Sequence, residues 1–131
     1  MNGQANEWLS KAQDDLQAAT LLLTFEVYPR NIVAFHCQQA VEKSLKAFLA
    51  SQDIPFLYRH DLGYLLDLCL EIDATFIELE AHIVGLTPYA VEVRYPADLP
   101  LTPTVAQTQQ FYRQAQAVYT FVQTKIISQN T

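Results

Sequence analysis

Glycine is scarce in this chain, three among 131 residues. That leaves few of the sharp left-handed turns that strand-rich folds rely on, and it argues against a β architecture. Long apolar runs are missing as well. No stretch approaches the ~20 residues that cross a bilayer, so no membrane segment is expected. The opening, Met1-Asn2-Gly3-Gln4-Ala5-Asn6-Glu7, has neither the basic start nor the apolar stretch of a secretion signal. The expected compartment is the cytoplasm. Cysteine is limited to Cys37 and Cys69, both at apolar helical positions. In that compartment they are expected to be buried, reduced thiols rather than a disulfide. His36, His60 and His82 are scattered and show no paired ligand spacing, so neither a metal site nor a cofactor is expected. Basic residues are few: 8 Lys and Arg against 14 Asp and Glu, a net charge of −6. That balance disfavours a general nucleic-acid binder, and DNA is not an expected partner.

What the chain does have is helical periodicity and enough apolar surface for a core, since 50% of its residues are hydrophobic. Its length fits one domain, residues 1–131. Trp8, Leu9, Ala12, Leu16, Ala19 and Leu23 share one side of a helix over about residues 5–25. Pro29 suits the first turn of a second helix, about 30–52, which Asp53-Ile54-Pro55 then breaks. Asp61 is placed to cap a third helix carrying Leu62, Leu65, Leu66 and Cys69. A fourth is expected from Ala74 or Phe76, with Phe76, Leu79, Ile83 and Leu86 in phase, interrupted or kinked at Gly85 and Pro88 and ended by Tyr95-Pro96. An extended loop, 97–102, leads to a last helix capped by Thr102 or Thr104, with Phe111, Ala115, Val118, Val122 and Ile126 as its core stripe, and the tail from Ser128 frays. The expectation is an all-α, five-helix up-and-down bundle.

Charge is unevenly placed. Residues 61–80 carry Asp61, Asp67, Glu71, Asp73, Glu78 and Glu80 and no Lys or Arg. Residues 30–60 carry Arg30, Lys43, Lys46 and Arg59 against Glu42 and Asp53. The second helix holds an unusual polar face. Opposite Ala34, Cys37, Val41, Leu45 and Phe48 lie His36, Gln39, Lys43 and Lys46, with Ala40 and Ala47 beside them. Those alanines suggest the edge of a groove or a subunit seam. His36 and Lys43 are two turns apart and share a face. An imidazole there could act as a general base or donate to a phosphate, and a lysine one pitch away could neutralise its charge. The alternative is structural: His36 bridges helices and Lys43 pairs with a carboxylate such as Asp15, at the margin of the first helix's apolar stripe.

Four segments, Asp14-Asp15-Leu16-x-x-Ala19, Phe35 to Leu49, His60-Asp61-Leu62 with Leu65-Leu66, and Val93-Arg94-Tyr95-Pro96, occur in the order found in the HEPN family. The chain resembles the short prokaryotic type of that family (higher eukaryotes and prokaryotes nucleotide-binding). The resemblance implies a helical bundle that forms a homodimer. It marks His36, Gln39, Lys43, Lys46 and Arg94 as candidate nucleotide or phosphate ligands, and Asp15, His60 and Tyr95 as their structural support.

The family spans RNases, non-catalytic binding modules and partners of nucleotidyltransferases. Its nucleases use an Arg followed after four to six residues by His, without metal. Arg30-Asn31-Ile32-Val33-Ala34-Phe35-His36 meets that spacing, with Asn31 as the polar residue after Arg. The family motif, however, falls late in the chain. There Arg94 is followed at the required distance by Leu99, Pro100 and Leu101. Six residues on a helix also lie about 120° from a shared face, so Arg30 joins His36 only from a frayed start. The leading expectation is therefore a non-catalytic module that binds a nucleotide, an RNA or a minimal nucleotidyltransferase in a two-component, toxin–antitoxin-like system. The alternatives are a metal-independent RNase toxin using Arg30, Asn31 and His36, and a structural homodimer without ligand.

Overall fold

The computed structural model describes residues 3–90 and 102–129, and the regular structure among them is all helical. Helix α1 is Gly3–Leu23, α2 Arg30–Ser51, α3 Leu62–Ile72 and α4 Val105–Ser128. Between α3 and α4 lie a 3-10 helix, Ala74–His82, and a 3-10 turn, Thr87–Tyr89. The helical bundle expected from periodicity is present. No described helix is long and apolar enough to cross a membrane.

Helices α1 and α2 make the most extensive pairing, and they run antiparallel. Asp15 meets His36 and Lys43, while Trp8, about two turns earlier in α1, meets Lys46, later in α2. Ala5, Ala12 and Ala19 recur at seven-residue intervals on α1, and Ala40 and Ala47 do so on α2; all five are fully buried. Small side chains let two helix backbones approach closely. Ala40 and Ala47 therefore do not edge an open groove, as the sequence pattern suggested. They lie in the core, because a neighbouring helix occupies the space that a surface reading leaves to solvent.

Helix α4 closes the other side of α2. Phe76 of the 3-10 helix sits between Phe48 of α2, centroids 4.4 Å apart, and Phe121 of α4, 5.0 Å apart. Phe76 and Leu79, three residues apart, are both buried. Side chains three apart eclipse in a 3-10 helix, so this segment buries its apolar edge without the wider α turn. That is why the fourth element is 3-10 rather than α. The helix ends at His82, and Gly85 (φ +84°) turns the chain beyond it, with the ring of Phe111 3.4 Å from where a β-carbon would stand.

Local chemistry sets the helix ends. Asp61 accepts from the backbone N–H groups of Gly63 and Tyr64 and caps α3. Thr104 and Gln107 form a reciprocal capping box at the start of α4. Helix α2 stops in a Schellman motif, with Ile54 N–H to Leu49 C=O at 2.9 Å and Asp53 N–H to Ala50 C=O at 3.1 Å. The motif needs a left-handed residue, and Asp53 supplies it at φ +55°. An L side chain costs about 1 kcal/mol there relative to glycine. Asp53→Gly is therefore expected to stabilise the fold by roughly 0.5–1 kcal/mol, read as a higher urea midpoint at unchanged m-value; a lower midpoint would contradict this account of the turn.

Candidate functional site

The polar row of α2 is organised around two carboxylates. Asp15 reaches across from α1. Its Oδ1 accepts from His36 Nδ1 at 2.8 Å and its Oδ2 from Lys43 Nζ at 2.7 Å. A carboxylate can only accept, so the Nδ1–H form of His36 is the one that fits. Glu42, one helical step from Lys43, does the same work on the α3 side. Its Oε2 accepts from Lys46 Nζ at 2.9 Å, and its Oε1 from His60 Nδ1 at 2.9 Å and Gln38 Nε2 at 3.2 Å. Each carboxylate thus holds one lysine and one histidine. Gln39 donates to Gln38 Oε1 at 2.7 Å and lies between the two groups.

Burial separates the two clusters. The side chains of Glu42 and Lys46 are only 3% and 5% exposed, whereas His36 and Lys43 retain 26% and 22%. Burial alone would raise the Glu42 carboxyl, but hydrogen bonds from Lys46, His60 and Gln38 and the Lys46 charge outweigh it and hold the group below the usual carboxylate range. The Lys46 ammonium also lies over the rings of Trp8 and Phe56, at 5.1 and 5.7 Å from their centroids. Its charge is closed in by Glu42 on one side and aromatic faces on the other.

The remaining candidates are held elsewhere. Arg30 Nε donates to the carbonyl of Pro103 at 2.6 Å, and Asn31 Nδ2 to Thr102 Oγ1 at 3.2 Å. Both tie the start of α2 to the loop before α4, whereas His36 is held by α1. The three residues of the nuclease spacing thus serve two different junctions. Arg94 and Tyr95 lie outside the described residues. Cys37 and Cys69 are buried and unbridged. Burial pushes both thiols up to about 12, with the Asp15 charge adding to the effect at Cys37, so neither is a nucleophile near neutral pH. Among the described residues no three His, Cys, Asp or Glu side chains gather as metal ligands would.

This geometry meets a family pattern across nearly its whole length. A model of the HEPN domain matches residues 5–126. The chain belongs to the HEPN family. No curated protein and no solved structure matches it significantly. In this HEPN domain the three matched segments among the described residues supply both clusters: Asp15 from the first, His36 to Lys46 from the second, His60 from the third. Sequence reasoning missed Gln38 and Glu42: it gave Gln38 no role and entered Glu42 only in the charge balance. Their signal is the i, i+4 series Gln38, Glu42, Lys46, with acid preceding base in the favourable order.

Removing one partner of a buried pair leaves the other charge uncompensated. Glu42→Gln is expected to cost about 3–5 kcal/mol at pH 7, and adding Lys46→Met to recover most of it. A carboxyl lowered in the folded state stabilises fully above its unfolded value of about 4.3 and loses that contribution as pH falls through the lower folded value. The deficit of Glu42→Gln should thus be flat near neutrality and shrink only below about pH 4, in a series of chemical denaturations. A deficit that changes between pH 6 and 8 would contradict this account.

Proposed function

We propose that this HEPN protein is a non-catalytic partner module, and that its partner is a minimal nucleotidyltransferase in a two-component, toxin–antitoxin-like pair. One observation carries the reading: the nucleotide-ligand candidates among the described residues are each committed to a partner within the chain, His36 and Lys43 to Asp15, Lys46 to Glu42 and Gln39 to Gln38. A phosphate site needs surplus positive charge. Here each lysine is neutralised at hydrogen-bond distance, and the chain as a whole carries −6. Protein partnership needs no such surplus. The homodimer expected of the family supplies the frame for it.

A second reading keeps one supporting observation. Asp15 fixes His36 through Nδ1, and a carboxylate-oriented imidazole is the usual arrangement of a general base. In that reading His36 cleaves RNA without metal, with Arg30 and Asn31 released from the Pro103 loop. Cleavage that persists in chelator and vanishes in His36→Ala is its signature.

Thermal shift separates the two classes of ligand. A ligand at 100 times its Kd stabilises the native state by about 2.7 kcal/mol. The expected outcome is no shift from a panel of nucleotides and short RNAs, and a stable complex on co-expression with a minimal nucleotidyltransferase from the gene's own neighbourhood. A nucleotide-induced rise that is lost in Lys43→Ala would overturn the reading in favour of a phosphate site on α2.

A further inference from the structure

Away from the polar row, a cleft of about 510 Å³ opens where the start of α1 meets the loop after α2. Its floor is aromatic. Trp8 packs edge-on against Phe56, centroids 6.3 Å apart, and Lys46 backs both rings from inside the fold. Its rim carries Glu7, Lys11 and Asp53, all exposed, and Tyr58, which is 94% exposed. Neighbouring Leu57 is exposed as well. The loop that presents them is braced rather than loose: Leu57 N–H donates to Tyr64 Oη at 3.0 Å, and the Arg59 guanidinium stacks 4.6 Å over the Tyr64 ring. An aromatic side chain held out in water on a braced loop is a contact surface in search of its counterpart.

Charge decides what that counterpart is. Among the described residues the rim has two carboxylates and one ammonium; Lys46, behind the aromatic floor, is neutralised by Glu42, and Arg59, next along the loop, lies beside Asp61. A phosphate entering here meets net negative charge on a protein that is itself at −6. A guanidinium meets the opposite: two exposed carboxylates for its planar donors, and the Tyr58 ring for its face. An apolar neighbour of that arginine would settle on Trp8 and Phe56. We infer that this cleft receives an arginine flanked by an apolar side chain, carried on a segment of the partner protein. The inference deepens the partner reading above and rests on it. It assigns the docking point to the α1 start and the α2–α3 loop rather than to the His36 row.

Trp8 is the only tryptophan in the chain, so its fluorescence reports on this cleft directly. The probe is acetyl-Arg-Leu-Arg-amide, with acetyl-Glu-Leu-Glu-amide as its charge-reversed control, titrated to roughly 10 mM against the full chain at low salt. The variant is Glu7→Gln with Asp53→Asn. It removes both charges, and asparagine tolerates the left-handed backbone at that position. The expected result is a saturable change with the arginine peptide, at least about tenfold weaker in the variant and absent with the glutamate peptide. Equal responses to the two peptides, an unchanged affinity in the variant, or no response to the arginine peptide overturns the inference. So does a saturable response to AMP, which would make the cleft a nucleotide site. If a nucleotidyltransferase binds wild type and variant equally well, the partner reading stands and the cleft assignment fails. If neither binds the enzyme while the peptide still binds wild type, the cleft stands and the choice of partner fails.

Discussion

A buried charge is stable only when its partners are in place before water is expelled, and two such charges hold this molecule together. Asp15 and Glu42 sit on either side of α2, each joined to a lysine and a histidine. Asp15 fixes α1 to α2. Glu42 fixes the approach to α3 through His60, whose own backbone carbonyl receives Gln38. Between these clamps the alanines at 5, 12, 19, 40 and 47 bring the two helices together; Glu42 and Lys46 are shielded from water, while His36 and Lys43 stay partly exposed. Packing and electrostatics are thus one arrangement. The carboxylates meet their donors because the seam is tight enough to align them, and those paired contacts in turn hold the register of the seam.

Much of this was legible from the chain. The α-helices, the Asp61 cap and the start of α4 at Thr104 follow from local rules, namely apolar period, cap chemistry and proline position. Asp15 was placed at the margin of an apolar stripe, where a carboxylate can reach a neighbouring helix. What the chain did not disclose depends on distances between helices. Ala40 and Ala47 look like a surface strip until α1 is laid on them. Glu42 and Gln38 look solvated because residues of their type usually are, and nothing local says that α3 will return across them. The fourth element is in phase for an α-helix at Phe76, Leu79, Ile83 and Leu86, but the spacing of Phe76 and Leu79 suits a 3-10 edge equally well, and the 3-10 helix stops at His82, before Ile83 and Leu86.

Family membership and site geometry bear on different questions. The HEPN match spans the polar segments, and among the described residues Asp15, His36, Lys43, Lys46 and His60 each have a partner within the fold. His36, Gln39, Lys43 and Lys46, which look like ligands in a linear pattern, each make a hydrogen bond within the chain. Away from that row lies an aromatic, acid-rimmed cleft beside Trp8 and Tyr58. Separating the fastened face from the open one accounts for an acidic protein that carries a seemingly basic motif. The motif's lysines are balanced where they stand, by Asp15 and Glu42.

The most direct test is the stability of Asp15→Ala measured by urea denaturation in the absence of any ligand. If the α2 row exists to hold the fold, losing the shared acceptor of His36 and Lys43 lowers stability by about 2–4 kcal/mol, and Lys43→Met in the same background restores part of it. A change of less than about 0.5 kcal/mol, the range of ordinary surface substitutions, would contradict the account. It would mean that Asp15 holds its histidine and lysine ready for a ligand rather than for the fold.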